Sequence, residues 1–202
     1  MALRSRPVAA LGALAILLTG CVTIGTKQKT VPNLLTLVAS ISRPVASDQS
    51  PTPDQAISIA LPFVPQHLSY NRIPVISAAG RISFIADTNW VEPPAALFRA
   101  LLSEVLGART GHVVIDARAL PINAGTRLSG QLQAFGVDEN THEAVVTYDA
   151  LLVRKGTTQI AARRFSARAR IGAITGPAAG AALNEAANQV ALQVADWVKA
   201  AT

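Results

Sequence analysis

The chain has 202 residues, half of them apolar, and a formal net charge of +6. This length suits one substantial domain or two small ones. Without residues 1–20, which hold two arginines and no acid, the 18 basic side chains fall to 16 against 12 acidic ones, a net charge of +4. So mild an excess argues against nucleic acid as a partner and is compatible with anionic lipid headgroups or an acidic protein surface.

The N-terminal segment has the layout of a secretory signal peptide. A basic head at residues 4–6 precedes an apolar run over 8–18, which is shorter than the about 20 residues that a membrane-spanning helix needs. The next residues, Leu18-Thr19-Gly20-Cys21, contain the only cysteine of the chain and resemble the lipobox of bacterial lipoproteins. This resemblance implies cleavage between Gly20 and Cys21, with a diacylglycerol and a further acyl chain attached at Cys21.

A lipidated Cys21 predicts how the mature protein is held. Two or three acyl chains bind a membrane far more firmly than one, because each buried CH2 contributes about 0.8 kcal/mol. Val22 stands where an aspartate would favour the inner membrane, so resemblance to lipoprotein sorting in Gram-negative bacteria implies the outer membrane. Residues 21–30 are predicted to be a lipidated tether, and residues 31–202 a single domain without a disulfide.

Alternating apolar and polar positions predict four strands in the first half of this domain. They cover residues 35–41, 57–61, 73–77 and 81–86. A loop rich in Pro, Ser, Asp and Gln is expected at 43–55, and a turn at Ala79-Gly80. In the fourth strand, Ile82 and Phe84 are predicted to face the core.

A helix is predicted from Pro94, because proline suits the first helical position. Its apolar residues form one stripe at helical spacing, with Gly107 as the expected stop. The stripe comprises Leu97, Phe98, Leu101, Leu102 and Val105. A short buried strand is expected at 113–115.

The second half predicts a long hairpin, a further strand and a final helix. The hairpin covers 126–153 with its turn at 138–142, and the next strand covers 159–170. The inward positions are Leu128, Gly130, Leu132 and Ala134 on the first arm and Val146, Tyr148, Ala150 and Leu152 on the second. Glycine spacing over 172–180 could mean close helix packing, but Pro177 favours a loop there, with the helix then running to about residue 198.

The inward side of that final helix is expected to carry Leu183, Ala187, Val190, Val194 and Trp197. The predicted fold is therefore α+β: a largely antiparallel sheet with two amphipathic helices packed on it. No internal repeat and no second domain boundary is visible in the sequence.

No pattern typical of catalysis or metal binding emerges from the sequence. The three histidines, His67, His112 and His142, have no metal-ligand spacing, and no second cysteine is available. Neither a phosphate-binding glycine loop nor a nucleophile elbow is present. The acidic group at 138–143 is explained by a solvated hairpin turn. We expect no enzyme activity, no catalytic residue and no cofactor beyond the acyl groups on Cys21.

Two features are candidates for contact with a partner or with headgroups. Arg164, Arg168 and Arg170 share one face of the strand over 159–170, which is either a solvated, aggregation-resistant face or a basic patch. Trp90, next to a turn and ahead of a helix, is either a core plug or an interface residue. Arg72 lies in the same aromatic-rich neighbourhood of the sequence and completes the candidate set.

The order of motifs along the mature chain resembles the ABC-type transport auxiliary lipoprotein family, the PqiC-like accessory proteins of MCE/Mla-type lipid transport. The matching pieces, in order, are Leu61-Pro62, Leu68, Arg72-Ile73-Pro74-Val75, Phe84, Trp90-Val91-Glu92-Pro93, Leu97-Phe98, Thr126-Arg127-Leu128-Ser129-Gly130 and the ending from Asn188 to Val198. In one departure, Ser69-Tyr70-Asn71 precede Arg72 where the family commonly has an Asp-Arg pair.

The resemblance implies an outer-membrane lipoprotein facing the periplasm, which docks or stabilises an MCE conduit driven by an ABC permease and ATPase. It implies no catalytic residue. Two other hypotheses are open at this level. One is direct lipid carriage in a cavity lined by residues such as Leu101, Leu102, Val190 and Val194. The other is a plug or chaperone for an outer-membrane barrel.

Overall fold

The computed structural model describes residues 33–43, 52–118, 125–154, 156–157 and 159–201. The predicted signal peptide, the tether and the lipidation site Cys21 lie outside the described residues, as does the part of the predicted 43–55 loop over 44–51. The strands and helices are, in chain order, β1 (Asn33–Leu35), β2 (Ile57–Ile59), β3 (Arg72–Ile76), β4 (Ile82–Trp90), α1 (Pro94–Thr110), β5 (Val114–Asp116), β6 (Thr126–Asp138), β7 (Glu143–Arg154), β8 (Ile160–Arg170) and α2 (Gly176–Ala201).

The strands form one sheet built on β6. Strands β6, β7 and β8 make a long antiparallel meander. Along its other edge, β6 pairs in parallel with two strands: the start of β6 pairs with β2, and the end of β6 pairs with β3. The antiparallel β3–β4 pair extends the sheet, and the parallel β1–β4 and β2–β5 pairs complete it. Most paired residues are antiparallel, so the predicted α+β class with a largely antiparallel sheet and two helices is confirmed.

The β6–β7 hairpin follows the predicted alternation until a bulge interrupts it. All four predicted inward positions of β7 are buried, as are Leu128 and Leu132 on β6. The register then shifts between Leu132 and Ala134. An extra residue in one strand reverses the side-chain alternation, so Phe135 and Val137 point into the core instead of Ala134.

Strand β4 also departs from simple alternation. Ile82 is 41% exposed and Phe84 half-buried, whereas Ile85 is buried, so the predicted inward set for this strand is wrong. The register against β3 is irregular, and Asp87 adopts a positive φ of 49°. A residue in this left-handed conformation breaks the pleat. The buried positions of this strand are therefore Ile85, Thr88 and Trp90, and the two-residue spacing is interrupted between Ile85 and Thr88.

Helix α1 has the predicted start and stripe but a later end. Pro94 occupies the first turn, and the five predicted stripe residues are all buried. The helix runs through Gly107 to Thr110, and Gly111 caps it with a φ of 76°. The prediction of Gly107 as the stop is wrong, because Gly107 serves packing: a Cβ there would overlap the guanidinium of Arg43. The short strand after α1, β5, is half-buried instead of buried.

Helix α2 begins inside the segment that the sequence analysis favoured as a loop. It starts at Gly176, with Pro177 in the first turn, and only Gly172 of the three spaced glycines lies before it. A Cβ on Gly176 would overlap the side chain of Thr88, and one on Gly180 would lie 2.6 Å from Cδ1 of Leu35. The glycine spacing therefore reflects close packing of α2 on the β1–β4 edge.

The chain after β1 follows the α2 surface instead of extending the sheet. We call residues 36–43 the N-terminal strap. Only Asn33–Leu35 pair with β4, so the strand predicted over 35–41 is wrong, although its apolar alternation is real: Leu37, Ala39 and Ile41 pack against the core. Backbone groups of Val38 and Ser40 bond to side chains of α2. The N–H of Arg43 donates to Oε1 of Glu104 on α1 at 3.0 Å.

Both helices cover one face of the sheet and close a single core. Phe98 of α1 contacts Tyr148 of β7 edge to face, with ring centroids 5.3 Å apart. Phe165 of β8 contacts Trp197 of α2 at 5.5 Å. Full burial of such side chains contributes about 1.5–3 kcal/mol each. Among the described residues, neither helix is long and apolar enough to cross a membrane.

Candidate partner-binding surface

The sheet face opposite the helices carries most of the candidate residues. Along β8, Phe165, Ala167 and Ala169 are buried beneath α2, and the residues between them point away from it. We call the side of β6, β7 and β8 turned away from α2 the outer face. Its exposed side chains on β8 include Arg164, Ser166, Arg168 and Arg170, as the two-residue period predicts.

Arg164 is held in a fixed orientation by its neighbour on β7. Its Nε donates to Oδ1 of Asp149 at 2.6 Å and its Nη2 donates to Oδ2 at 2.7 Å, so the pair is bidentate. Nε2 of Gln133 on β6 donates to the same carboxylate at 2.9 Å. The hydrogen bonds from Arg164 hold the pKa of Asp149 below its ordinary value, against a smaller opposing effect of burial.

Arg168 bridges the carboxylates at the β6–β7 turn. Its Nη1 lies 3.0 Å from Oε2 of Glu143 and 3.8 Å from Oδ2 of Asp138. The pKa of Asp138 is lowered chiefly by the backbone N–H of Thr141, which donates to it within the turn. These acids, interpreted from the sequence as a solvated turn, therefore also neutralise the arginine face.

Two arginines of β8, Arg163 and Arg170, form no ion pair with a carboxylate among the described residues. Glu143 nevertheless lies opposite Arg170 in the register of β7 and β8. The guanidinium of Arg163 lies over the ring of Phe165, with Cζ 5.2 Å from its centroid, which leaves its charge in place. Arg163 and Arg170 are therefore the two arginines of β8 that have no carboxylate within ion-pair distance in the described part of the chain.

Arg72 belongs to a separate surface. Its Cζ lies 4.6 Å from the ring centroid of Phe84, and Tyr70 meets the same ring edge to face at 6.5 Å. Strands β6 and β7 lie between β3 and β8, so the two groups are about 14 Å apart across the sheet at the usual strand spacing. The structure does not bring Arg72 together with the arginines of β8.

Trp90 is a core residue. It is 1% exposed, and its ring lies 5.6 Å from that of Phe135 on β6. Of the two interpretations left open by the sequence, the core plug is correct, and no surface contact is available to this side chain. Trp90 therefore leaves the set of candidate contact residues, because the closely packed inward side of β4 encloses it.

A depression of about 250 Å³ lies at the Arg168 end of the outer face. Its walls come from the β3–β4 turn and from β6 and β7, and include Ile76, Ser77, Ala134, Gly136, Val145 and Arg168. The arginine at its rim is already paired with Glu143, so the depression has no free charge to attract an anion. In the described residues, no group of three or more His, Cys, Asp or Glu side chains could hold a metal ion.

Comparison with known proteins assigns the family. A family model described as the ABC-type transport auxiliary lipoprotein component matches residues 36–195. The chain belongs to this family. A crystal structure of an uncharacterized protein superposes with a TM-score of 0.67 at 15% identity, over 83% of this chain and 99% of the other. Protein XCC0632 from Xanthomonas campestris, of family DUF330, superposes with a TM-score of 0.66 at 16% identity, over 83% of this chain and 95% of the other.

At such low identities these two structures support the fold alone, and no curated protein matches the chain.

In this auxiliary lipoprotein, sequence reasoning located the arginine face of β8 but missed its acidic partners. Cross-strand register places Asp149 opposite Arg164. Counting outward from a two-residue turn at Lys155-Gly156 would have placed Asp149 opposite Ala162, two residues short of Arg164, so the pair follows only from the observed register.

The Arg164–Asp149 pair predicts a measurable pH effect. The pKa of Asp149 is lower in the folded protein than in the unfolded chain. The ion pair therefore stabilises the fold fully at pH values above the unfolded-state pKa, and this stabilisation is lost as the pH falls through the folded-state pKa. Because both side chains are partly exposed, R164Q should lower the free energy of unfolding at pH 7 by only about 0.2–1 kcal/mol. The same variant should raise the pKa of Asp149, measured by carboxyl NMR titration. R170Q is the control and should leave that pKa unchanged; an unchanged pKa in R164Q would contradict the pairing.

Proposed function

We propose that the chain is an outer-membrane-anchored lipoprotein on the periplasmic face that serves as a non-enzymatic accessory subunit of an MCE-type ABC phospholipid transport system. It docks or stabilises the MCE conduit at the outer membrane, with an MCE-domain protein and its ABC permease and ATPase as partners. The observation that carries the proposal is the family match over residues 36–195, which names the class of transport component. The lipobox-like Leu18-Thr19-Gly20-Cys21 supports the anchor.

The chemistry of the described surface supports a docking role over turnover. Its titratable side chains pair with one another on an open sheet face, as Arg164 does with Asp149. Cys21 and Asn33 are separated by a segment that spans at most about 40 Å, so the anchor holds the domain close to the bilayer.

The direct lipid-carriage alternative has no observation in its favour. It required a cavity lined by Leu101, Leu102, Val190 and Val194. These four side chains are buried in the common core between the helices and the sheet. They fill that space themselves, so we do not advance lipid carriage as a second candidate.

The anchoring part of the proposal predicts the phenotype of C21S. Without the thiol no acyl chain can be attached at residue 21. The domain then lacks the lipid anchor that is proposed to hold it at the membrane. We expect C21S to fold normally by circular dichroism and to abolish complementation of the envelope-barrier defect of a deletion strain. S40T, a conservative change on the exposed side of the strap, is the control and should complement. Full complementation by C21S at equal abundance would refute anchoring.

The partner assignment is tested by mild in-cell crosslinking, affinity capture of the lipidated protein and identification of partners by mass. We expect an MCE-domain protein together with its ABC permease and ATPase. Recovery of an outer-membrane barrel without any MCE-domain protein would overturn the MCE assignment and promote a plug or chaperone role.

A further inference from the structure

Strand β8 is an edge of the sheet. Its eleven residues, Ile160–Arg170, pair with β7 on one side, and among the described residues nothing pairs with its other side. At about 3.3 Å per residue this edge is about 35 Å long. Long open edges readily accept another strand, because they present a row of unpaired N–H and C=O groups.

The register shows which backbone groups are open. The N–H of Ile171 donates to the carbonyl of His142 at 2.9 Å, so Ile171 is directed toward β7. Because the direction of backbone groups alternates along an antiparallel strand, the odd-numbered residues of β8 bond to β7 and the even-numbered ones face outward. The outward set is Ile160, Ala162, Arg164, Ser166, Arg168 and Arg170.

The side chains along this edge specify the chemistry of an added strand. Strand β8 contains four arginines and no acid. Carboxylates of β6 and β7 form ion pairs with Arg164 and Arg168, whereas Arg163 and Arg170 form none among the described residues. Glu143, which pairs with Arg168, also lies opposite Arg170 in the register. At the other end, Ile160 is 64% exposed. The edge is therefore positive at two points and apolar at a third.

Charge argues against two occupants supplied by this protein. Pairing β8 with β8 of a second copy would bring two sets of arginines together, which is destabilising between neighbouring strands. The predicted tether over 22–30 contains Lys27 and Lys29 and no acid. An extended segment that carries carboxylates meets no such repulsion.

We propose that the open edge of β8 binds an extended, acidic segment of a partner protein as an added strand. Main-chain hydrogen bonds to the even-numbered residues supply affinity, and side-chain pairing supplies specificity. The segment has carboxylates opposite Arg163 and Arg170, hence seven positions apart and on opposite faces of the strand, with an apolar residue opposite Ile160. This surface lies beyond the family assignment and does not depend on which transport system the protein serves.

The test uses the full chain in detergent micelles and synthetic eleven-residue peptides of alternating Thr and Val. One peptide series carries two Glu seven positions apart, in both chain directions, and the other carries two Lys instead. Amide hydrogen exchange is followed by NMR. In the free protein we expect the amides of Ala162 and Ser166 to exchange faster than those of Phe165 and Ala167. The Glu peptide should slow exchange at the even-numbered amides about tenfold or more, and the Lys peptide should not.

Two variants separate the edge from the rest of the fold. A162P removes an outward N–H, a change that edge strands tolerate, and should abolish peptide protection while the odd-numbered amides stay protected. A162T is its control and should still bind. The double variant R163E/R170E should bind the Lys peptide in place of the Glu peptide.

Four results would overturn the proposal. They are slow exchange at the even-numbered amides of the free chain, equal binding of both peptides, binding without protection of those amides, and no binding of the Glu peptide. Because every readout uses purified protein and peptide, failure here is distinguishable from failure of the complementation tests of the MCE role.

Discussion

Replacement of Gly130 by alanine should lower the free energy of unfolding by about 3 kcal/mol or more, among the largest effects expected of a single substitution. Gly130 lies in the middle of β6 with a φ of 155°, a conformation that L-residues rarely adopt. A Cβ there would overlap the backbone carbonyl oxygen of Asp149 and lie 2.9 Å from the hydroxyl of Tyr148. The backbone of β7 cannot retreat without breaking the central hairpin, and Tyr148 is fully buried.

The measurement is urea unfolding of G130A against the wild type, followed by circular dichroism. G172A is the matched control: a Cβ on Gly172 meets nothing within 4 Å, and its backbone has no positive φ. We expect this control to be neutral or slightly stabilising, because alanine restricts the unfolded chain more than glycine does. A loss below about 1 kcal/mol in G130A would contradict the close approach of β6 and β7.

The second large effect is expected at Asn188, which attaches the N-terminal strap to α2. Its Oδ1 accepts the N–H of Ser40 at 2.7 Å, and its Nδ2 donates to the carbonyls of Val38 at 2.9 Å and of Asn184 at 2.8 Å. The side chain is 6% exposed. N188A removes all three bonds and leaves strap backbone groups unsatisfied, which should cost about 3 kcal/mol.

Hydrogen exchange localises this effect. In N188A the amides of Val38 and Ser40 should exchange far faster, while those of the β6–β7 hairpin keep their order of protection. N184A is the control, since the side chain of Asn184 accepts one bond from the strap, from the N–H of Val38 at 2.7 Å, and the backbone carbonyl that Asn188 contacts is kept in this variant. We expect N184A to cost about 1 kcal/mol. Unchanged protection at Ser40 in N188A would show that apolar packing alone holds the strap.

The strap lies after β1 in the chain, whereas the predicted tether lies before β1. Detachment of the strap in N188A should therefore leave the pairing of β1 with β4, which comes first after the tether, in place. The residues that hold the strap, Asn184 and Asn188, are polar positions on a helix that the sequence analysis described only by its apolar side.

Elements dominated by local pattern were predictable from the sequence. The stripe of α1, the β7 arm of the hairpin and the β6 arm up to Leu132 are correct because helical and strand periods place apolar side chains on one face whatever they contact. The same period placed Arg164, Arg168 and Arg170 on one exposed face of β8. These residues of the candidate site could be predicted because their common face follows from residue spacing within a single strand.

Elements that depend on a distant partner were not predictable. The bulge after Leu132 and the positive φ of Asp87 reverse the strand period, and nothing local announces either. Gly107 and Gly176 were read as stops or loop residues because glycine usually punctuates structure. Here each glycine makes room for a side chain from another segment, a requirement visible only after folding.

By itself, the sequence determined the α+β class, the inward faces of both helices and of β7, and the basic outward face of β8, because these follow from residue spacing within single elements. Only the tertiary structure decided that the strap follows α2 and that Trp90 is enclosed by the core. It also separated Arg72 from β8 and left Arg163 and Arg170 without an ion pair among the described residues. The reason is that these outcomes depend on register and packing between segments far apart in the chain, where backbone hydrogen bonds and close contacts override local periodicity.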